Sequence, residues 1–187
     1  MNKQNILYVN NNKEWRSWLE NNFEKEKEIW LVFPKKSSIK KRLLYNDAVE
    51  EALSFGWIDS KVKRLDDENI IQRFSPRNPY SKYSQASKER LKWLLKEKRL
   101  HPSVEPIAKE ILKDDFIFPQ DIIETIKEDD LAWKNYQNFS PSYKRIRIAY
   151  IDSTRKRPEE FKKRLANFIE KSRANKLIGY GGIEKYY

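Results

Sequence analysis

Residues 55–84 read FGWIDSKVKRLDDENIIQRFSPRNPYSKYS, and the fold turns on this stretch. Trp57 to Leu65 and Ile70 to Ser75 are two runs of strand composition, joined by the acidic turn Asp66, Asp67, Glu68 and Asn69. Two such runs around a turn-forming segment predict a β-hairpin. Pairing Leu65 with Ile70 sets Ser60 opposite Ser75 and Asp59 beside Pro76 and Arg77. On that register the open end gathers Trp57, Asp59, Ser60, Arg73, Ser75, Arg77 and Ser81. A guanidinium can hold a carboxylate or phosphate through two parallel hydrogen bonds, and an indole can stack on a planar ligand or a cation. The stretch therefore predicts a small cleft for an anionic or planar ligand. An architectural reading of the same residues stays open: Arg77 paired with Asp59 at the sheet end, Trp57 in the core, Ser75-Pro76 as a strand stop, and Ser81 or Ser84 as a helix cap.

Toward the N-terminus, Trp15, Trp18, Leu19 and Phe23 recur with helical spacing after an Asn-rich start. Ile29 to Phe33 is a continuous apolar run stopped by Pro34, as a buried strand is, and a basic loop from Lys35 to Arg42 follows. Asn46 or Asp47 is expected to cap the next helix, whose stripe is Ala48, Val49, Ala52, Leu53 and Phe55. Gly56 suits the left-handed position that ends it.

Toward the C-terminus the pattern is helical. A stripe of Leu91, Leu94 and Leu95 is expected to run to His101-Pro102, and a short helix to use Ile107, Ile111 and Leu112. Pro119 opens a helix through IIETI, and Ala132, Tyr136 and Phe139 mark another. Ser140-Pro141 reads as an N-cap with proline at the first helical position, ahead of Ile146, Ile148, Tyr150 and Ile151. Pro158 opens the last helix, with Phe161, Leu165, Phe168 and Ile169 on its apolar side. The fold class expected is α+β: a small antiparallel sheet with a β-hairpin packed on helices, followed by an all-helical C-terminal half. One domain is expected, with residues 1–100 as the α+β core, 101–176 helical and 177–187 a loose tail.

The chain carries 39 Lys+Arg against 28 Asp+Glu, and Pro141 to Tyr187 alone holds 13 basic and 5 acidic residues. Arg145, Arg147, Arg155, Arg157, Lys162, Lys163 and Arg164 are the residues through which this region would meet nucleic acid or another anionic surface. Aromatic interleaving is sparse, so non-specific attraction is expected there, and a solvated helix surface is the plain alternative. With no cysteine and a single histidine, His101, ahead of a proline, thiolate and imidazole machinery is missing. No phosphate-binding glycine loop occurs. No catalytic residue, metal site or cofactor is expected. No transmembrane run or signal core is visible, which predicts a cytoplasmic protein.

Several motifs then point to a family. EWRSWL, IWLVFPKK, YNDAVEEALSFGWIDS, RFSPRNPYSKYS, PQDIIETI and SPSYKRIRIAYI, in this order, resemble the bacteriocin-protection, YdeI/OmpD-associated family over most of the chain. The chain departs from that pattern at Tyr83 and Ser87, where the family carries Trp and Asn. It departs again at Glu160 and Phe161, which follow the matching Pro158-Glu159 where the family has Thr-Arg. The resemblance implies an α+β core with a helical C-terminal part and, by the family's name, protection against antimicrobial peptides; together with the missing catalytic machinery, the expectation is a binding or protective protein rather than an enzyme.

Overall fold

The computed structural model describes residues 5–35 and 41–179. Most of the basic loop and all of the expected tail beyond Gly179 lie outside the described residues. The chain forms two compact units: one runs through Lys82 and adds Leu94–Glu110, and the other comprises Tyr83–Trp93 and the chain from Ile111. The fold is α+β, with one four-stranded mixed sheet and eight helices among the described residues.

In the first unit, β1 (Ile6–Leu7) leads into α1 (Asn12–Asn22), β2 (Ile29–Pro34), α2 (Tyr45–Ser54), β3 (Trp57–Arg64) and β4 (Asn69–Pro76). The sheet order is β1-β2-β4-β3, with β1 parallel to β2 and the other pairs antiparallel. All six residues of β2 are buried. Ile29, Leu31 and Phe33 join Trp15, Leu19, Trp57 and Phe74 in the main core, while Trp30 and Val32 pack with Ile71 in a second cluster. The short β1 is an addition to the expected antiparallel sheet; the Trp30 N–H donates to the Asn5 carbonyl at 2.8 Å beside it.

Helix α1 follows the Asn-rich start, with Asn11 as its N-cap. The Asn11 side chain accepts the Glu14 N–H at 3.1 Å, and the Glu14 carboxylate accepts the N–H of Asn10, the residue before the cap, at 2.9 Å. Helix α2 starts differently from expectation. Leu44 is its N-cap and makes no side-chain cap bond, while Asp47 falls in the first turn, where a carboxylate complements the helix dipole. Beneath it, Glu51 is buried and bridged by two arginines: Arg16 Nη1 lies 2.9 Å from one oxygen, and Arg99 Nη2 bonds the other.

Gly56 reverses the chain between α2 and β3 with φ +72°, as anticipated. The hairpin that follows forms, but with a corrected register. Asn69 accepts both the Leu65 and Asp66 N–H groups, and Asp66 Oδ1 accepts those of Glu68 and Asn69. This tight Asx turn pairs Arg64, not Leu65, with Ile70. A bulge between Asp59 and Val62 then adds one residue to β3. Ser75 consequently faces Ile58, and Pro76 faces Trp57.

Helix α3 (Gln85–Lys96) ends well before Pro102. Lys98 takes φ 54°, and the Arg99 N–H returns to the Leu94 carbonyl at 2.9 Å, so a left-handed cap rather than proline stops it. In α4 (Glu105–Ile111), Ala108 is the buried residue and Ile107 is exposed, so the expected Ile107 stripe is displaced.

The second unit contains α5 (Gln120–Lys127), α6 (Asp130–Asn138), α7 (Pro141–Asp152) and α8 (Pro158–Arg173). Their apolar faces meet in a core that includes Ile122, Ile126, Tyr136, Tyr143, Ile148, Leu165 and Phe168. Ser140 accepts the Tyr143 N–H ahead of Pro141, the predicted cap. Tyr150, expected in the stripe of α7, is instead 40 % exposed. Asn175, at φ 50°, ends α8 and returns the chain across the unit, where the Ile178 N–H donates to Tyr143 Oη at 2.9 Å.

A Cβ at Gly56 would sit 3.5 Å from Val104 Cγ2, an ordinary contact, so the penalty of Gly56→Ala is that of the backbone. It is expected to be about 1–2 kcal/mol, read as a lower urea midpoint with unchanged slope. Asp129 is held below the ordinary aspartate range, first by the Ala132 N–H and then by Arg173. Because its folded value is depressed, its contribution is present above the unfolded pKa of about 3.9 and is lost as pH falls through the folded value. Asp129→Asn keeps the cap and should flatten the fall of Tm with acid below about pH 4.

Candidate functional site

The hairpin residues are built into the first unit one by one. Trp57 is 1 % exposed, donates Nε1–H to the Phe23 carbonyl at 3.1 Å, and meets the Trp18 ring edge-on. Asp59 is half-buried and accepts the Tyr45 hydroxyl at 2.6 Å. Arg73 donates Nε–H to Glu28 at 2.7 Å and reaches Ser60 Oγ with Nη1 at 3.3 Å. That bond is the main cause holding the Glu28 carboxyl below its ordinary range. Arg77 spans the following loop, donating from Nη2 to the Ser81 carbonyl at 3.2 Å and to the Lys82 carbonyl. Ser81 Oγ turns back to the Asn78 carbonyl at 2.8 Å, and Ser75 lies opposite Ile58. The structure thus brings Arg73 and Ser60 together, while the indole faces the core and Asp59 and Arg77 serve Tyr45 and the loop carbonyls.

The basic residues of the second unit divide into two kinds. Arg145 grips the buried Glu89 through Nε and Nη2 at 2.6 and 2.8 Å. Arg155 grips Asp121 at 2.7 and 2.8 Å and bonds Asp152 as well, which drives its pKa up and that of Asp121 down. Lys162 lies 3.5 Å from Glu159 on the exposed side of α8, and Arg157 is exposed at its N-cap. These side chains either join elements of the unit or face solvent.

Arg147, Lys163 and Arg164 are different, because they line one cleft of about 340 Å³. Its floor is apolar, from Ile151 and Phe168, and its far wall is Ile178 of the returning C-terminal segment. Arg147 is buried, with Nη2 on the Ile178 carbonyl and its guanidinium 5.6 Å from the Tyr143 ring. Arg164 lies flat on Tyr150, with Cζ 3.7 Å from the ring centre. Its Nε–H goes to Glu160 at 2.7 Å and its Nη1 to the Tyr150 carbonyl at 2.9 Å. The Glu160 carboxyl is held low chiefly by Arg164. Asn167 completes the polar lining.

The basic run pointed to three of these residues, but Tyr150, Glu160, Asn167, Phe168 and Ile178 were not anticipated as site residues. One signal was available: Glu160, Arg164 and Asn167 share the i, i+4, i+7 face of α8.

Trp57→Phe tests the architectural part played by the hairpin. It removes the donor to a half-buried carbonyl and should lower stability by roughly 1–3 kcal/mol in urea unfolding, with the sheet retained by circular dichroism.

Residues 115–175 match the family described as Bacteriocin-protection, YdeI or OmpD-Associated, and residues 7–106 match a Domain of unknown function (DUF8412). The hairpin motifs lie in the second of these segments, and the α7–α8 cleft, apart from Ile178 and Gly179, in the first. Neither a curated protein nor a solved structure matches the chain. Among the described residues, no helix is long and apolar enough to cross a membrane. The chain therefore belongs to the DUF8412 family, whose model covers more than half of it, and its residues 115–175 form a segment similar to the bacteriocin-protection, YdeI or OmpD-associated family.

Proposed function

We propose that this family member is a binding protein and that its second unit takes a small anionic ligand in the cleft between α7 and α8. The observation that carries this reading is the lining itself: Arg147, Lys163 and Arg164 meet over a floor of Ile151 and Phe168. A concave, largely apolar site with a few convergent polar groups is the usual form of a small-molecule site. Arg164 is positioned in advance by Tyr150 and Glu160, so little side-chain freedom is lost when it meets an anion. Any protective role of the chain would then run through what this cleft holds.

The geometry favours this over an extended nucleic-acid or lipid surface. Arg145 and Arg155 spend their charge on Glu89, Asp121 and Asp152, which leaves a discontinuous positive surface. It also favours the cleft over the hairpin rim, where the indole is enclosed by the core and Asp59 is engaged by Tyr45.

A panel of organic and inorganic anions, followed by backbone NMR shifts and thermal denaturation, tests the proposal. Signals of α7 and α8 are expected to move, and Lys163→Glu, on an exposed position, should weaken binding by about tenfold or more. The variant should keep its Tm within about 2 °C, as surface substitutions do. Unmoved α7 and α8 signals across the panel, or a Lys163→Glu protein that binds as well as wild type, would overturn the reading.

A further inference from the structure

We infer that the ligand of the α7–α8 cleft is a small amphiphilic monoanion: one carboxylate carried on a single aromatic ring or a short branched aliphatic body. The inference rests on the reading that this cleft is a ligand site, and it adds the chemistry that the site selects.

Size is the first constraint. About 340 Å³ lies at the low end of the range for small-molecule pockets, about 300–1,000 Å³. A single ring or a branched chain of a few carbons suits it better than a nucleotide or a fused-ring cofactor.

The lining sets the second constraint. Ile151, Phe168 and Ile178 offer no hydrogen bonds through their side chains, so a fully hydrated ion such as phosphate would lose water against them without replacement. A ligand with an apolar body instead withdraws its own carbon surface from water against side chains that need no solvent, Ile151 and Phe168 being already buried. Tyr150 contributes an aromatic edge beside the Arg164 stack. The body of the ligand belongs on this floor.

Charge is the third. A guanidinium has five N–H groups in one plane. Two of those on Arg164 are directed to Glu160 and to the Tyr150 carbonyl, which leaves three, among the described residues, for a planar acceptor. A carboxylate matches that planar fork. Glu160 stands in the same lining as Arg164, so a second negative charge on the ligand would approach a carboxylate. Glu160 thereby acts as the specificity determinant: it orients Arg164 for one charge and opposes a second.

Calorimetric titration of the full chain at fixed ionic strength with phenylacetate, acetate, benzyl alcohol and inorganic phosphate separates the possibilities. Phenylacetate is expected to bind at least about tenfold tighter than each of the other three. Glu160→Gln is expected to raise phosphate affinity about tenfold while phenylacetate changes by less than about threefold. Acetate or phosphate binding as tightly as phenylacetate would leave the anion site standing and remove the amphiphilic class. Equal binding of benzyl alcohol would show a purely apolar pocket and overturn the carboxylate. No increase in phosphate affinity in Glu160→Gln would remove Glu160 as the selector. No binding by any of the three anions would sink the underlying reading as well.

Discussion

A strand buried on both faces is the constraint from which the first unit is built. Every residue of β2 is enclosed, so its backbone needs hydrogen-bond partners on both edges and its side chains need cover on both sides. One edge takes β4 in a six-residue antiparallel ladder, and the other takes the two residues of β1. The alternation of Ile29, Leu31 and Phe33 against Trp30 and Val32 divides the apolar contacts into two clusters. The Trp57 indole then follows as a wall of the larger cluster, which is why a conspicuous aromatic beside a carboxylate and an arginine is spent on packing.

What the amino-acid sequence disclosed was strongest where a single local interaction decides the outcome. Gly56, and Ser140 with Pro141, act within a few residues of themselves, and each took its expected position. The hairpin was legible as an element but not in register. The turn closed on Asp66 and Asn69, and the bulge between Asp59 and Val62 added a second slip to the first, and neither event leaves a periodic trace. Helix α3 shows the same limit. Lys98 carries no compositional mark of a left-handed residue, so Pro102 drew attention to a stop that had already occurred. Strand β1 is too short for alternation to register, and its partner is supplied by the exposed need of β2.

Net charge was the least instructive quantity, and the reason is physical. A formal excess of +11 describes how the molecule acts at a distance, whereas binding at a site depends on which cations are already satisfied. Arg145 is satisfied by a carboxylate that α3 presents within the second unit, and Arg155 by carboxylates of α5 and α7. Both hold helices together. Counting them with Lys163 joins residues that do different work.

The cleft itself arises from how α8 ends. Asn175 reverses the chain in a left-handed conformation, and the Lys176 N–H caps the Lys171 carbonyl at 2.9 Å, so the segment that follows turns back along the unit. Ile178 is then held through both of its backbone polar groups: its N–H by Tyr143 and its carbonyl by Arg147. A segment fixed at one residue by two side chains of α7 makes a wall rather than a fringe, and it turns the groove between two helices into a cleft. Arg147 thus has two functions from one position, since the guanidinium that pins the wall also lines the space behind it. No spacing along the chain brings residues 147, 164 and 178 together; only the packing of α7 on α8 and the reversal at Asn175 do so.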